Sequence, residues 1–428
     1  MEREKSSVYL RNTLGQIRKP TSTVACSYAQ YGAKCFALAI KWLEFRNFSE
    51  VTVFSHRVHV KGGFVRLVLS GAIVLTLAVL AACGGGASRK LYVVGLGSPD
   101  VHTFGVSGSG VLTPDTMHFA GTGSRPDGIV VNRHFAYVLD ASGAPQPGAI
   151  SEYTVGSSGL LTAITVTTTS STTSVAATPP ATGVNPVAMI LDSTRKFVCV
   201  ANQGSNSISV FSIDSSSGLL TEVVGSPFPT AAAPSGLAMT SNVLFVANRD
   251  AGAISVYMMD ATSGKLAQVS GSPFPAGTSP TSLDIDSSGK FLYVADQTSN
   301  TVLALSVSGS SGQLAAISGS PFAAGTTPVY VRVVGSSVYV ANTGSANVSG
   351  FSIDSGSGAL TPISGSPFAA GTNPVYIASG NSGKLLFVAN QWSNNISVYQ
   401  VSSGGLTAAN GSPFATVAAG TSALATNE

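Results

Sequence analysis

The chain is poor in charge, in aromatics and, beyond its first quarter, in cysteine. Only 10% of its 428 residues are Asp, Glu, Lys or Arg, and 8% are aromatic. That leaves too few charged side chains for a helical bundle or coiled coil. With 44% hydrophobic residues the chain is also too apolar for disorder. Of its four cysteines, Cys26, Cys35 and Cys83 lie at the front, and only Cys199 follows. The larger part therefore has no disulfide framework, and Cys199, inside an apolar run, reads as a small buried hydrophobe. No Gly-x-Ser-x-Gly, His-Glu-x-x-His or Walker-type phrase occurs. What the chain does have is 47 glycines, together with many Ser, Thr and Val. This is the composition of β-sheet with many tight turns.

The formal charge of +3 hides an asymmetry. Residues 1–83 carry 11 Lys+Arg against 4 Asp+Glu, whereas residues 84–428 carry 11 against 15. The bulk is mildly acidic, which argues against nucleic acid as a partner.

Period is the strongest signal. Gly-Ser-Pro-Phe begins at Gly225, Gly271, Gly319, Gly365 and Gly411. An aromatic-Val-Ala-Asn/Asp phrase recurs as Phe245–Asn248, Tyr293–Asp296, Tyr339–Asn342 and Phe387–Asn390. Weaker copies stand at Cys199–Asn202, Tyr137–Asp140 and Tyr92–Gly95, giving seven. A Thr/Ser/Ala-rich insertion near residues 165–181 lengthens one step. Each unit reads as four short strands, A to D, for example A from Pro280 to Asp286 and B from Phe291 to Ala295. Strand B is apolar on both alternating faces, as a sheet sandwiched between neighbours allows. Seven such units predict an all-β, seven-bladed β-propeller over residues 91–428. The first unit starts at strand B, and Ala418–Thr426 lines up with Ala369–Ile377. A C-terminal strand should therefore complete the first blade and close the ring. The periodic Phe228, Phe274, Phe322, Phe368 and Phe414 are expected between blades, each contributing about 1.5–3 kcal/mol.

With its Tyr/Phe-Val-Ala-Asn phrases, Asp-Ser-Ser-Gly-Lys hairpin and Pro at the start of strand A, the region 91–428 resembles the lactonase/YVTN family of seven-bladed propellers. That resemblance implies a 6-phosphogluconolactonase-like fold. The family includes cytoplasmic enzymes that hydrolyse 6-phosphogluconolactone, relatives that cyclise muconates, and exported members of unknown role. Its enzymes place His, Arg and Glu around the central channel. Here His102, His118 and His134 all fall outside strand A.

Candidate site residues come from the strand A register and the B–C loops. Four residues past the strand A Pro stand Val130, Ile190, Ala238, Asp284, Arg332 and Ala378. Asp284 and Arg332 read either as an ion pair closing one blade boundary or as a carboxylate- or phosphate-binding group. Arg125 and Arg249 lie at the mouth to assist the latter. Trp392, the only Trp after residue 83, either stacks on a ligand or is simply an exposed or anchoring ring. Asp214 and its cousins are turn formers rather than metal ligands. No metal and no cofactor are expected. The chain is read as an envelope module binding a small ligand, a polysaccharide or an envelope protein, and as a monomer. The alternative is a lactone hydrolase acting on an unphosphorylated extracytoplasmic lactone, or a lactonizing enzyme. Its catalytic candidates are Arg332 with Asp284 or Glu222. Low charge and Ser/Thr richness also suit a passive coat protein.

Localisation follows from residues 57–83. Arg57, Lys61 and Arg66 precede the apolar run 67–83, which ends Leu80-Ala-Ala-Cys83. This is the layout of a signal peptide, too short for a comfortable membrane span. Its end resembles a bacterial lipobox, in which Cys83 would carry the lipid and anchor the protein on the periplasmic or cell-surface side of a membrane. Residues 84–90 then form a flexible tether. Residues 1–56 share nothing with the repeats and read as a mis-assigned extension or a disordered leader. No Met lies between Met1 and Met117, so an internal start needs a non-AUG codon. N-terminal sequencing of the unprocessed precursor should therefore yield no peptide from residues 1–56, and recovery of one would refute the mis-assignment.

Overall fold

The computed structural model describes residues 58–60, 63–65 and 89–427, except 116–119, 144, 168–173, 310, 404 and 417. The expectations for residues 1–56, the apolar run 67–83 with Cys83, and His118 lie outside the described residues. The chain divides into two units, Met1–Gly84 and Gly85–Glu428. The first is described only at an antiparallel hairpin of Val58–Val60 with Gly63–Val65.

The second unit is a ring of seven antiparallel blades. In the fifth blade, strand A is Pro280–Ile285, B is Phe291–Asp296 and C is Thr301–Val307. Strand D comes in two pieces, Leu314–Ala316 and Phe322–Ala323, which both pair with strand C. The Gly-Ser-Pro-Phe phrase is the break between the two pieces, and it recurs in the third to seventh blades. Its Ser hydroxyl accepts the strand C N–H that the break would leave unpaired. Ala304 N donates to Ser320 Oγ at 2.9 Å, Val256 N to Ser272 Oγ at 2.8 Å, and Val210 N to Ser226 Oγ at 3.0 Å. All five Ser–Pro bonds are cis. The phrase thus repairs the ladder at an interrupted edge strand. Its Phe is half-buried rather than enclosed between blades, because it packs from the rim against the apolar cluster beside it.

The core is divided into seven apolar clusters, one at each blade boundary. Every strand B contributes to the clusters on both sides, which is why it shows no alternation. Tyr and Phe at the head of the B phrase are not equivalent. Tyr137 OH donates to Gly218 O at 2.8 Å, and Tyr293 OH to Gly358 O at 3.0 Å, each reaching the C–D turn of the next blade. The phrase's terminal Asn or Asp is buried and holds the loops above it. Asn248 Nδ2 donates to Ser255 Oγ at 2.9 Å, whereas Asp296 accepts from Thr278 N and Ser279 N, both at 2.9 Å.

The ring closes through the tail. Thr421–Thr426 is strand A of the first blade and pairs with Lys90–Gly95. Its register differs from the expected alignment by two residues: that alignment sets Ala423 level with Pro374, whereas Thr421 stands there, opposing Gly95 as Pro374 opposes Asn390. Gly95 departs from the Asn/Asp pattern for a steric reason. A Cβ there would lie 2.6 Å from the Ala419 carbonyl oxygen, so the returning tail leaves no room for a side chain. The insertion lies within the second blade, between the two pieces of its strand D: Thr165–Thr167 pairs with Ser174–Ala176, and Ala181–Val184 then pairs with strand C.

Leu424 is 1% exposed in the cluster joining the last and first blades. Leu424→Ala should cost about 2–5 kcal/mol, and deletion of residues 418–428 should lower the melting temperature further. A deletion that melts unchanged would contradict closure through the tail.

Candidate active site in the central channel

The seven innermost strands enclose a cavity of about 560 Å³, within the range that holds a small ligand. Its two sides differ. At the positions two and four past the strand A Pro, the second to fourth blades offer Gly128, Val130, Ala188, Ile190, Gly236 and Ala238. Those side chains carry no polar atom. The fifth to seventh blades carry Ser282 and Asp284, Tyr330 and Arg332, and Tyr376 and Ala378. At these two positions polarity is thus gathered on one wall.

Asp284 and Arg332 meet as their shared register implies, at 3.8 Å between Arg332 Nε and Asp284 Oδ2. This separation is an ion pair but exceeds a hydrogen bond. Asp284 Oδ2 instead accepts Val333 N at 2.8 Å, and Oδ1 accepts Ile285 N at 2.9 Å. Burial raises the Asp284 carboxyl above its ordinary range, while Arg332 and these backbone groups oppose the rise. Arg332 Nε is buried without a hydrogen-bond acceptor. The carboxylate is therefore well satisfied and the guanidinium is not. Next to them, Tyr330 and Tyr376 stack with ring centroids 4.3 Å apart and a 38° tilt. Burial, then the neighbouring Tyr376, pushes the Tyr330 hydroxyl well above its usual range.

Asp127 lines the channel from the second blade, one residue past Pro126. Burial lifts its carboxyl to about 6, against the pull of Arg125. It stands in the column of Val187, Ser235, Thr281, Val329 and Val375, where it is the one charged residue. Reading that column, as well as the one holding Asp284 and Arg332, would have found it. The Tyr pair was likewise legible as two large residues in an otherwise small column.

The remaining candidates spread out. Arg125 is exposed in the loop entering strand A of the second blade. Arg249, in a B–C loop, is bound to Asp250 at 2.8 Å. Trp392 is 72% exposed in the B–C loop of the seventh blade, beside the channel-lining Gln391. Glu222 sits apart from all of these, on the outermost strand of the third blade, where it accepts Ser226 Oγ at 2.9 Å. Strand D is the edge farthest from the channel, so Glu222 cannot join Arg332 in one site. His134 lies in an A–B hairpin. His102 is buried in strand C of the first blade, with Nε2 3.0 Å from Ser98 Oγ. It occupies the place of Ser209, Ser255, Ser349 and Ser397, which in their blades accept from the Asn that Gly95 replaces. Burial lowers its pKa, against the attraction of Asp100. Burial pushes the Cys199 thiol up to about 12, which makes it inert. Among the described residues no group of three His, Cys, Asp or Glu is placed to hold a metal ion.

Residues 154–234, 224–333 and 323–418 match the family model described as lactonase, 7-bladed β-propeller. Among solved structures, a candidate 6-phosphogluconolactonase from Bacteroides uniformis superimposes with a TM-score of 0.68 at 18% identity, covering 80% of this chain and 100% of that one. A periplasmic gluconolactonase from Pseudomonas aeruginosa gives a TM-score of 0.61 at 19% identity, covering 79% and 99%. At such identities the likeness is one of fold. No curated protein matches the sequence.

The channel mouth carries backbone strain. The residue before the strand A Pro has positive φ at Asn185 (50°), Ala233 (54°), Thr327 (55°) and Asn373 (58°). Asn tolerates this conformation, whereas a β-branched residue does not. The Thr327 backbone is held there by bonds to Asn300 Oδ1 at 2.7 Å and from Thr343 N at 3.0 Å. Thr327→Asn should therefore stabilise the protein by about 1 kcal/mol, read as a raised melting temperature. A lowered one would show that the Thr side chain contributes more than its strain removes.

Proposed function

Because the chain belongs to the lactonase family of seven-bladed β-propellers, we propose that it is a ligand-binding propeller of the cell envelope that takes a small carboxylate or lactone into its central channel. The observation that carries this reading is Arg332, a cation that lines a cavity of ligand size with its side chain 40% exposed. An anionic or carbonyl oxygen in the channel can accept from the accessible edge of its guanidinium. The signal-like run before Cys83 supports the envelope location, with the lipid on Cys83 as anchor. Arg125 and Arg249 at the mouth would draw anions toward the channel.

Lactone hydrolysis is the second reading, and Asp127 favours it. A carboxyl near 6 is poised as a general base. It would take a proton from water as the water oxygen bonds to the lactone carbonyl carbon. Arg332 would receive the developing oxyanion. The ring C–O bond then breaks, and the proton passes to the leaving alkoxide.

A panel of sugar and acyl lactones, followed by acid release, separates the two readings. Hydrolysis through Asp127 requires its ionised form, so turnover should rise with pH through about 6 and disappear in Asp127→Asn and Arg332→Ala. No turnover on any lactone, together with ligand-induced thermal stabilisation that Arg332→Ala removes, would establish binding without catalysis.

A further inference from the structure

We propose that the Tyr330–Tyr376–Arg332 wall of the channel is a subsite for a flat aromatic monocarboxylate. This rests on the reading of the channel as the ligand site and names the ligand's chemistry. Tyr330 and Tyr376 rest against the blade-boundary clusters, yet the other blades close without residues of their kind. At the Tyr330 and Tyr376 position the other blades carry Gly128, Ala188, Gly236, Ser282 and, from the tail, Ala423. At the Arg332 position they carry Val130, Ile190, Ala238, Ala378 and Ala425, with Asp284 the exception. Small or aliphatic residues close those blades, so the aromatic pair and the cation are additions to the architecture.

Their spacing fits one kind of molecule. Tyr330 and Arg332 are two residues apart on one strand, on the same face, hence roughly 7 Å from each other along it. A carboxylate on the guanidinium fork would leave its flat body against the exposed side of the stacked rings. Asp284 pairs with Arg332 as an ion, but at 3.8 Å from Nε it makes no hydrogen bond to that atom. At the level of Arg332 the opposite wall is Val130, Ile190 and Ala238, with no side-chain hydrogen-bonding group, while Asp127 and Ser235 lie three residues earlier on their strands. At that level the wall would leave the hydroxyls of a polyol unpaired and accepts an apolar edge without cost.

The test is calorimetric titration of the full-length protein with trans-cinnamate, cyclohexanecarboxylate, cinnamyl alcohol, gluconate, glucono-lactone and sulfate. Cinnamate should bind, with a tyrosine difference spectrum. Cyclohexanecarboxylate and the neutral alcohol should each be weaker by about tenfold, the worth of one stacking or charged contact. Arg332→Lys, which keeps the charge and loses the fork, and Tyr376→Leu should each weaken cinnamate by a similar factor, with folding checked by melting temperature. Cinnamate binding that both variants leave unchanged would place it elsewhere and overturn the proposal. Sulfate binding as tightly as cinnamate would reduce the site to a simple anion site and also overturn it. Gluconate or its lactone binding in place of cinnamate would overturn this proposal while leaving the channel as the ligand site. Absence of binding by the whole panel would refute both.

Discussion

The whole ring depends on one antiparallel pairing, that of Thr421–Thr426 with Lys90–Gly95. Each apolar cluster lies between two blades and belongs to neither, so no blade is stable on its own account. The six other boundaries join blades contiguous in sequence. The seventh is made by a tail that crosses the whole chain length to supply an innermost strand. Loss of that strand would expose the edge of the first strand B and open two clusters at once. Gly95 is a local consequence of this closure, since it yields space to the incoming backbone.

The fold was legible because repetition averages out the noise of any single unit. Seven copies of a doubly apolar strand B, each followed by turn residues, leave few alternatives to a propeller. The errors are local. The tail alignment slipped by two residues because Ala-Ala-Gly-Thr is common to both segments, whereas register is set by pairing across the sheet, which one strand's sequence does not contain. The periodic Phe of Gly-Ser-Pro-Phe points to a place between blades. Periodicity reports a repeated structural duty, and here that duty is mending a broken edge strand more than filling a core.

The site was legible in part and for the same reason. Departures from a repeat mark what the architecture does not require. Asp284 and Arg332 stand out in one column and do meet. Glu222 was drawn in by its chemistry alone, and its place on the outermost strand separates it from the channel. Asp127 is the one charged residue of its column, but its raised pKa depends on burial that sequence does not reveal. The tyrosines stand out by size in their column, but their stacking needs two adjacent blades in place.

The two ends of the propeller meet: Lys90 N donates to Asn427 Oδ1 at 2.8 Å. This junction lies at the start of strand B and the end of strand A, whereas Trp392, Arg125 and Arg249 stand in loops at the opposite ends of those strands. The chain enters the ring at Lys90, on the face away from these loops. The channel mouth that carries them is thus kept clear of the junction that holds the ring shut.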